Sequence, residues 1–345
     1  LLFMAAPFPT QNSDSLIVTD EEHDKNYQNF LDLVSTLPKE RGWTSEHLHH
    51  HQGFWFSTPL LEELTTLQQH FKAQPTDVLL ATYPKSGTIW LKALLFTIIN
   101  RTRFDNYHTH PLLTANPHEC VPFLELCARK NPKNPRPDVP LMSTHIPYSS
   151  LPESIFLSGC RIVYVCRDPK DVLVSFWHFI GRQKHEDIKI KPLSLEEAFE
   201  LFSRGVSPYG SFWDHVLGYW KASLEWPDRV LFLKYEDVRS EPLVHVKRLA
   251  EFIGHPFSLD EEREDVVSKI VDFCSFEKLS NLEVNKTGSH SLRKSMIIAN
   301  NTYFRQGKVG DSKNYLTTEM IEHLDQITER KFHGFGLTFG APPKT

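Results

Sequence analysis

Cysteine is scarce in this chain and poorly placed for a covalent framework. Five occur in 345 residues, at positions 120, 127, 160, 166 and 274, and none forms a CxxC pair. That argues against a disulfide scaffold and against a structural zinc site. Cys166 sits inside an apolar run and reads as a buried thiol. Long apolar runs are also missing, since none reaches the roughly 18–20 residues needed to cross a bilayer. The opening Leu1–Pro7 is too short for a signal peptide and has no basic n-region. The expected compartment is therefore the cytoplasm, with no membrane contact, and the NxT triplets at Asn100, Asn285 and Asn300 carry little weight. Basic excess is absent as well: 38 Lys and Arg stand against 43 Asp and Glu, a net charge of −5. This argues against a nucleic-acid partner, and any anion site has to be local. A GxxxxGK[ST] loop, an internal repeat and a low-complexity segment are likewise lacking.

What the chain does have is an alternation of apolar runs and helical periods. Val78–Tyr83, Leu141–Thr144, Arg161–Cys166 and Val230–Tyr235 read as strands. The continuous apolar character of Val78–Tyr83 fits a strand buried on both faces of a parallel sheet. Helices are expected over Glu21–Leu37, Pro59–Phe71, Thr88–Asn100, Asp168–Gly181, Leu195–Arg204, Phe212–Glu225, Leu243–Ile253, Asp260–Asp272 and Thr317–Lys331. The helix at Thr88 carries Leu91, Leu94, Leu95 and Ile98 at i, i+3, i+4, i+7 and is apolar almost all round, which predicts deep burial. The pattern gives an α/β fold, a parallel β-sheet covered by helices on both faces. Residues 1–20 read as a mobile segment and 21–345 as one domain. Proline-rich Asn106–Pro140 reads as a long irregular connection and Asn285–Asn301 as a flexible loop.

Three segments suggest anion binding. Thr82–Trp90, TYPKSGTIW, joins a strand to a helix, where glycine permits a sharp turn and the helix N-terminus offers free N–H groups and a positive dipole end. Read alone it is either such a site, with Lys85 adding charge, or an ordinary strand-to-helix turn. In Cys160–Phe179, Asp168 suits the N-cap, Pro169 N1 and Asp171 N3, which leaves Arg167 at the carboxyl end of a strand. Arg167 either holds a phosphate or pairs with Asp168 or Asp171, and Ser175 lies two turns on. The third segment, Arg305-Gln306-Gly307-Lys308-Val309-Gly310, is either a backbone nest for an anion or a solvated loop. Together they suit one ligand with more than one phosphate-like group.

These segments resemble the soluble sulfotransferase family, most closely its plant cytosolic branch. TYPKSGTIW resembles that family's 5′-phosphosulfate loop, CRDPKDVLVSFWHF its 3′-phosphate segment and RQGKVGD its C-terminal glycine-rich loop. LPKERGW at Leu37–Trp43 and NPHECVPFLE at Asn116–Glu125 also read like plant members, so the likeness runs from about Leu37 to Phe335. The resemblance implies a P-loop-like fold and 3′-phosphoadenosine 5′-phosphosulfate (PAPS) as cosubstrate, with no metal. It implies that Lys85, Ser86, Gly87 and Thr88, followed by Ile89, form the 5′-phosphosulfate cradle, and that Trp90, Phe276 and Tyr235 contact adenine. Arg167, Ser175, Arg305, Gln306 and Gly307 would form the 3′-phosphate side, and His145 in STHIP the catalytic base beside Lys85. His145 is one of 18 histidines, and only the segment match singles it out. By contrast His47, His49, His50 and His51 read as a polar surface turn rather than a metal tract.

The resemblance also implies a small hydroxylated acceptor of flavonoid, brassinosteroid, hydroxyjasmonate or desulfoglucosinolate type. Phe54, Trp55, Phe123, Tyr148 and Phe179 either line its pocket or simply pack in the core. KNYLTTEMIE at Lys313–Glu322 resembles the family's short dimer motif, so the chain is expected to be a monomer or a weak homodimer. Three positions depart from the family pattern. Ile89 stands where PKSGTTW has a second threonine, Gln306 where RKG has lysine, and Ser312 where GDW has tryptophan. Two other readings compete: a kinase-like phosphate transferase, which would need magnesium ligands and a GK[ST] loop, and a nucleotide-binding module without catalysis.

Overall fold

The computed structural model describes residues 20–105, 107–182, 191–293 and 296–339. Its strands are β1 (Lys39–Arg41), β2 (His47–His51), β3 (Phe54–Phe56), β4 (Val78–Thr82), β5 (Leu141–Thr144), β6 (Arg161–Cys166), β7 (Val230–Lys234), β8 (Ser289–Arg293) and β9 (Met296–Ala299). Among the described residues β4 to β7 form a four-stranded sheet in the order β5-β4-β6-β7. All three of its pairings are parallel, with Val78 opposite both Leu141 and Arg161. Every residue of β4 and β5 is buried, the reason these runs show no polar alternation. The strand order reverses on either side of β4, which opens a crevice at the carboxyl ends of the strands.

The helix Thr88–Asn100 leaves β4 directly and buries Leu91, Ala93, Leu94, Leu95 and Ile98 against Leu80, Val163 and Leu231. Each fully buried leucine contributes about 1.5–3 kcal/mol by removal from water. The helix Pro169–Gly181 leaves β6 in the same way, and its N-cap Asp168 accepts a hydrogen bond from the Lys170 N–H as its sequence predicts. The described residues fall into two compact units, divided between Leu37 and Pro38. The first contributes the helix Asp20–Thr36. The expectation for residues 1–19 lies outside the described residues.

Several local expectations are corrected. Residues 285–293 and 296–301 are not a loop: the short helix Glu283–Thr287 leads into the antiparallel pair of β8 and β9. Asn285 is buried there and ties Leu279 to Asn116. The proline-rich connection carries the short helices Pro117–Cys120 and Leu124–Lys130, the first closed by a capping box of Asn116 and Glu119. The histidine tract is strand β2, not a turn, and His49 is buried with Nε2 3.1 Å from the Thr58 hydroxyl. The expected helix Asp260–Asp272 is two helices, Leu259–Arg263 and Val266–Phe273, broken where Asp265 takes a left-handed φ of 57°. All five cysteines are free, and Cys166 is fully buried.

Candidate active site

Each strand of the parallel sheet ends at a residue of one cavity of about 930 Å³. The turn after β4 delivers Lys85, β5 delivers His145, β6 delivers Arg167 and β7 delivers Tyr235. The fold therefore gathers at one edge four residues separated by as much as 150 positions in sequence (235 − 85).

The turn after β4 is shaped as an anion cradle. Lys85 adopts a left-handed φ of 70° and Gly87 one of 100°, a conformation that costs a non-glycine residue about 1–2 kcal/mol. A Cβ on Gly87 would lie 2.6 Å from the Tyr235 ring, so no side chain fits there. Gly87 is the N-cap of the helix Thr88–Asn100 and supplies no capping side chain. The first N–H groups of that helix remain available to a ligand. Ser86 is fully buried and its Oγ has no partner among the described residues. Lys85 is half-buried by exposed surface yet enclosed by the cavity walls, with Nζ 4.1 Å from the centre of the Phe179 ring. That enclosure, followed by the charges of Arg167, Arg305 and Arg182, lowers its ammonium to about 7.

His145 is held in one orientation. Its Nδ1 lies 2.7 Å from the Thr82 carbonyl and 3.2 Å from the Thr82 hydroxyl, and that hydroxyl lies 2.7 Å from Thr88 Oγ1. A carbonyl can only accept, so Nδ1 carries the proton and Nε2 keeps its lone pair. The His145 backbone N–H donates to Glu125 Oε1 at 2.7 Å, and its carbonyl lies 2.9 Å from His215 Nε2. Burial lowers the imidazole to about 3, against the Thr82 bond and with help from the charges of Lys92 and Lys85. The ring is thus a neutral hydrogen-bond acceptor facing the cavity.

On the other side of Lys85, Arg167 Nη2 donates to Asp171 at 3.0 Å and to the Lys308 carbonyl at 2.7 Å. The pairing with Asp171 and the place in the cavity wall therefore coexist. Asp171 was legible in the sequence only as a helix-start residue. It proves to be a latch, accepting the Gly310 N–H at 2.7 Å and the Ser312 N–H at 2.9 Å. Burial raises its carboxyl, but Arg167 and these N–H groups outweigh that and hold it below the usual range. Arg305 is bound to Asp311. Arg167 Nε and Arg305 Nε are both buried without partners among the described residues. A Cβ on Gly307 would lie 2.5 Å from the Phe276 ring. Ser175, Tyr235, Phe276, Gln306 and Gly307 line this part of the cavity, as do Ile89 and Trp90 nearer the helix start.

Of the five aromatic residues expected in the acceptor pocket, Phe123 and Phe179 line the cavity and Phe54, Trp55 and Tyr148 do not. Phe54 packs edge-on against His215, Trp55 lies against His50, and Tyr148 packs on Phe156 and Tyr219. Their segments touch the cavity, where they do, through neighbours: Ser57, Pro59 and Leu60 in place of the β3 aromatics. The sequence reading missed His118, Tyr209, Tyr303, Glu125 and the Glu63–Arg129 ion pair, all in the wall. Among the described residues no cluster of His, Cys, Asp and Glu could hold a metal ion, and no helix is long and apolar enough to cross a membrane.

Known proteins resemble this chain over nearly its whole length. Residues 75–336 match the family described as the sulfotransferase domain. Cytosolic sulfotransferase 16 of Arabidopsis thaliana is 47% identical over 340 residues, covering 95% of this chain and 97% of that protein. Flavonol 4′-sulfotransferase of Flaveria chlorifolia is 49% identical over 315 residues, covering 90% and 97%. Among solved structures, an Arabidopsis thaliana sulphotransferase superposes with a TM-score of 0.70 at 37% identity, covering 93% of this chain and 98% of that one. A mouse sulfotransferase complexed with PAP gives 0.62 at 26% identity, covering 83% and 94%.

Proposed function

The chain belongs to the sulfotransferase family and is a sulfotransferase, and from that premise we propose that it takes its sulfuryl group from PAPS and passes it to a phenolic hydroxyl of a small plant metabolite, with His145 as the base. The observation that carries this reading is the meeting, in the wall of one cavity, of a histidine whose Nδ1 is tied to the Thr82 carbonyl with a lysine and two arginines.

The fit to PAPS rests on the unpartnered polar atoms. Ser86 Oγ, Arg167 Nε and Arg305 Nε are buried hydrogen-bonding groups left unsatisfied, each costing about 1–3 kcal/mol unless a ligand completes it. Gly87 and Gly307 keep both backbone turns free of side chains next to Tyr235 and Phe276. Lys85 and Thr88, with Ser86 behind them, would hold the 5′ end; Arg167, Ser175, Arg305 and the N–H groups of Gln306 and Gly307 would hold the 3′-phosphate. Trp90, Tyr235 and Phe276 would flank the adenine. The bound cosubstrate supplies an activated sulfuryl group and leaves as a stable phosphate.

The chain's own residues do the rest. His145 Nε2 accepts the acceptor's hydroxyl proton as that oxygen attacks in line, and the Thr82 carbonyl bond fixes the tautomer that permits it. Lys85, close to Arg167 and Arg305, offsets charge on the departing phosphate oxygen. A bound polyanion compensates the cationic wall of Arg167, Arg305 and Arg182, which moves Lys85 up from about 7. The acceptor lies among Phe123, Phe179, Tyr209 and Tyr303, a surface suited to flat rings. The flavonol specificity named for the Flaveria relative makes flavonols the first candidates.

The test is transfer of labelled sulfate from PAPS to a panel of flavonols, steroids, hydroxyjasmonate and desulfoglucosinolates, with EDTA present. Labelled product on a flavonol supports the reading. Label confined to the steroid or glucosinolate members would reject the acceptor class, and loss of transfer with EDTA would reject metal-free chemistry.

A further inference from the structure

A buried lysine sets a second histidine in the cavity wall. Lys92 lies in the otherwise apolar helix Thr88–Asn100 and is 0% exposed. Its Nζ lies 2.8 Å from His118 Nδ1, donates to the Val121 carbonyl at 2.8 Å, and sits 3.5 Å above the centre of the Phe123 ring. Burial pulls this ammonium well below its ordinary range, while the nearby Glu125 carboxyl works to keep it charged. The face of Phe123 favours the cation too. In either protonation state Nζ carries at least two N–H bonds, enough to donate to both the Val121 carbonyl and His118 Nδ1, an arrangement that leaves the His118 proton on Nε2.

The ring is fixed from the main chain as well. The His118 N–H donates to Asn116 Oδ1 at 2.9 Å, and Asn116 is anchored through Asn285 at 2.9 Å. With Nδ1 turned back to Lys92, the Nε2 edge is what His118 offers to the cavity it lines. Phe123 separates the two histidines, 5.1 Å from the ring centre of His118 and 4.8 Å from that of His145. One imidazole is held as a donor and the other as an acceptor, on two sides of one aromatic ring.

We infer that His118 and His145 together read acceptors that carry a second oxygen, a carbonyl or ether, close to the hydroxyl to be sulfated. His145 takes the hydroxyl and His118 donates its Nε2–H to the neighbouring oxygen. The inference rests on the acceptor half of the proposed function. His118 is a specificity-determining residue in it, not a catalytic one. The ligand class is an aromatic hydroxyketone or its ether counterpart, in which the two oxygens sit on adjoining ring atoms.

The experiment compares two phenols of similar size and acidity on the native chain and two variants: 2-methoxyphenol, whose hydroxyl adjoins an ether oxygen, and 2-ethylphenol, which lacks that oxygen. The ratio of kcat/KM between them should be about tenfold or more in the native chain, the scale of one well-made hydrogen bond. It should fall toward one in His118→Phe and return in His118→Gln, whose amide can accept from Lys92 and still donate. Dissociation constants for the same acceptors, measured by fluorescence with 3′,5′-adenosine bisphosphate present, should follow the same pattern. A native ratio near one overturns the inference without any variant, as does an Nδ1-protonated His118 in the ¹⁵N NMR spectrum. Acceptor binding that depends on His118 without any sulfuryl transfer would count against the proposed reaction and leave this reader standing.

Discussion

Lys85 gives the sharpest prediction, because its free-state ionisation and its proposed task conflict. With its ammonium held at about 7 by burial and by Arg167, Arg305 and Arg182, only about one molecule in ten carries the charge at pH 8. A phosphate placed against Nζ would restore the lysine toward its ordinary 10.4. Binding of 3′,5′-adenosine bisphosphate at pH 8 should therefore take up about 0.9 proton. The sign follows directly: the protonated form binds, so affinity is greatest below about pH 7 and weakens by up to roughly tenfold per pH unit above it. Calorimetry at pH 8 in two buffers of different ionisation enthalpy reads the uptake as the difference in observed heat. Lys85→Met should abolish it. An uptake below about 0.2 proton, or a dissociation constant flat from pH 7 to 9, would refute the reasoning.

Other outcomes follow from the same geometry. His145→Ala should lower kcat by about 10²–10⁴ with 3′,5′-adenosine bisphosphate binding nearly intact, and near-full turnover would remove His145 as the base. With the free imidazole at about 3, kcat/KM should show no acidic limb from His145 between pH 5 and 7, where an ordinary histidine would titrate; a limb near 6.5 that vanishes in His145→Gln would contradict this. Arg167→Ala should weaken 3′,5′-adenosine bisphosphate by about 1.5–3 kcal/mol and adenosine 5′-phosphate much less, and equal losses would exclude a 3′-specific role. The exposed residues Lys313 and Glu322 would mediate at most a weak homodimer, since the motif is short of the roughly 20–30 residues a side of a standard interface; sedimentation equilibrium showing a monomer at the highest concentration, or a dimer indifferent to Glu322→Lys, would end that contact.

Much of this site could be read from sequence because its parts are local. Strands β4, β6 and β7 announce themselves as largely apolar runs, and the residue at each carboxyl end is placed by the strand before it. Asp168 and Pro169 mark a helix start that leaves Arg167 in the crevice regardless of what packs around it. The missed residues depend on contacts distant in sequence. Asp171 meets Gly310 and Ser312 about 140 positions away, a separation of 139 or 141. Asn116 meets Asn285 across 169 positions, which is why 285–301 looked like a loop. The aromatic residues of β3 were in the right segment, but Phe54 turns into the core beside His215, Trp55 on the opposite face lies against His50, and neither lines the cavity. One signal was in plain view: Lys92, a lone charge in a helix apolar on every side. A buried lysine must find partners, and tracing them leads to His118 and the acceptor wall.

The three departures from the family pattern are easier to understand once the backbone is known. Ser312 is 3% exposed, and both its N–H and its side chain bond Asp171, so a serine at that position adds to the latch. Gln306 belongs to a turn in which Gly307 has a φ of 62°. An anion held there is held by N–H groups, which a glutamine presents as well as a lysine does. The missing charge should then cost affinity mainly at low salt, because the Debye length shrinks to about 8 Å at physiological ionic strength. Ile89 lines the cavity at the first turn of its helix. It forfeits a hydroxyl but leaves the helix N–H groups, Thr88 and the Thr82–His145 connection untouched. Gln306→Lys should therefore tighten 3′,5′-adenosine bisphosphate binding several-fold at low salt and little at physiological salt, with kcat unchanged. A gain that persisted at high salt would mean that the side chain, not the backbone, carries this part of the site.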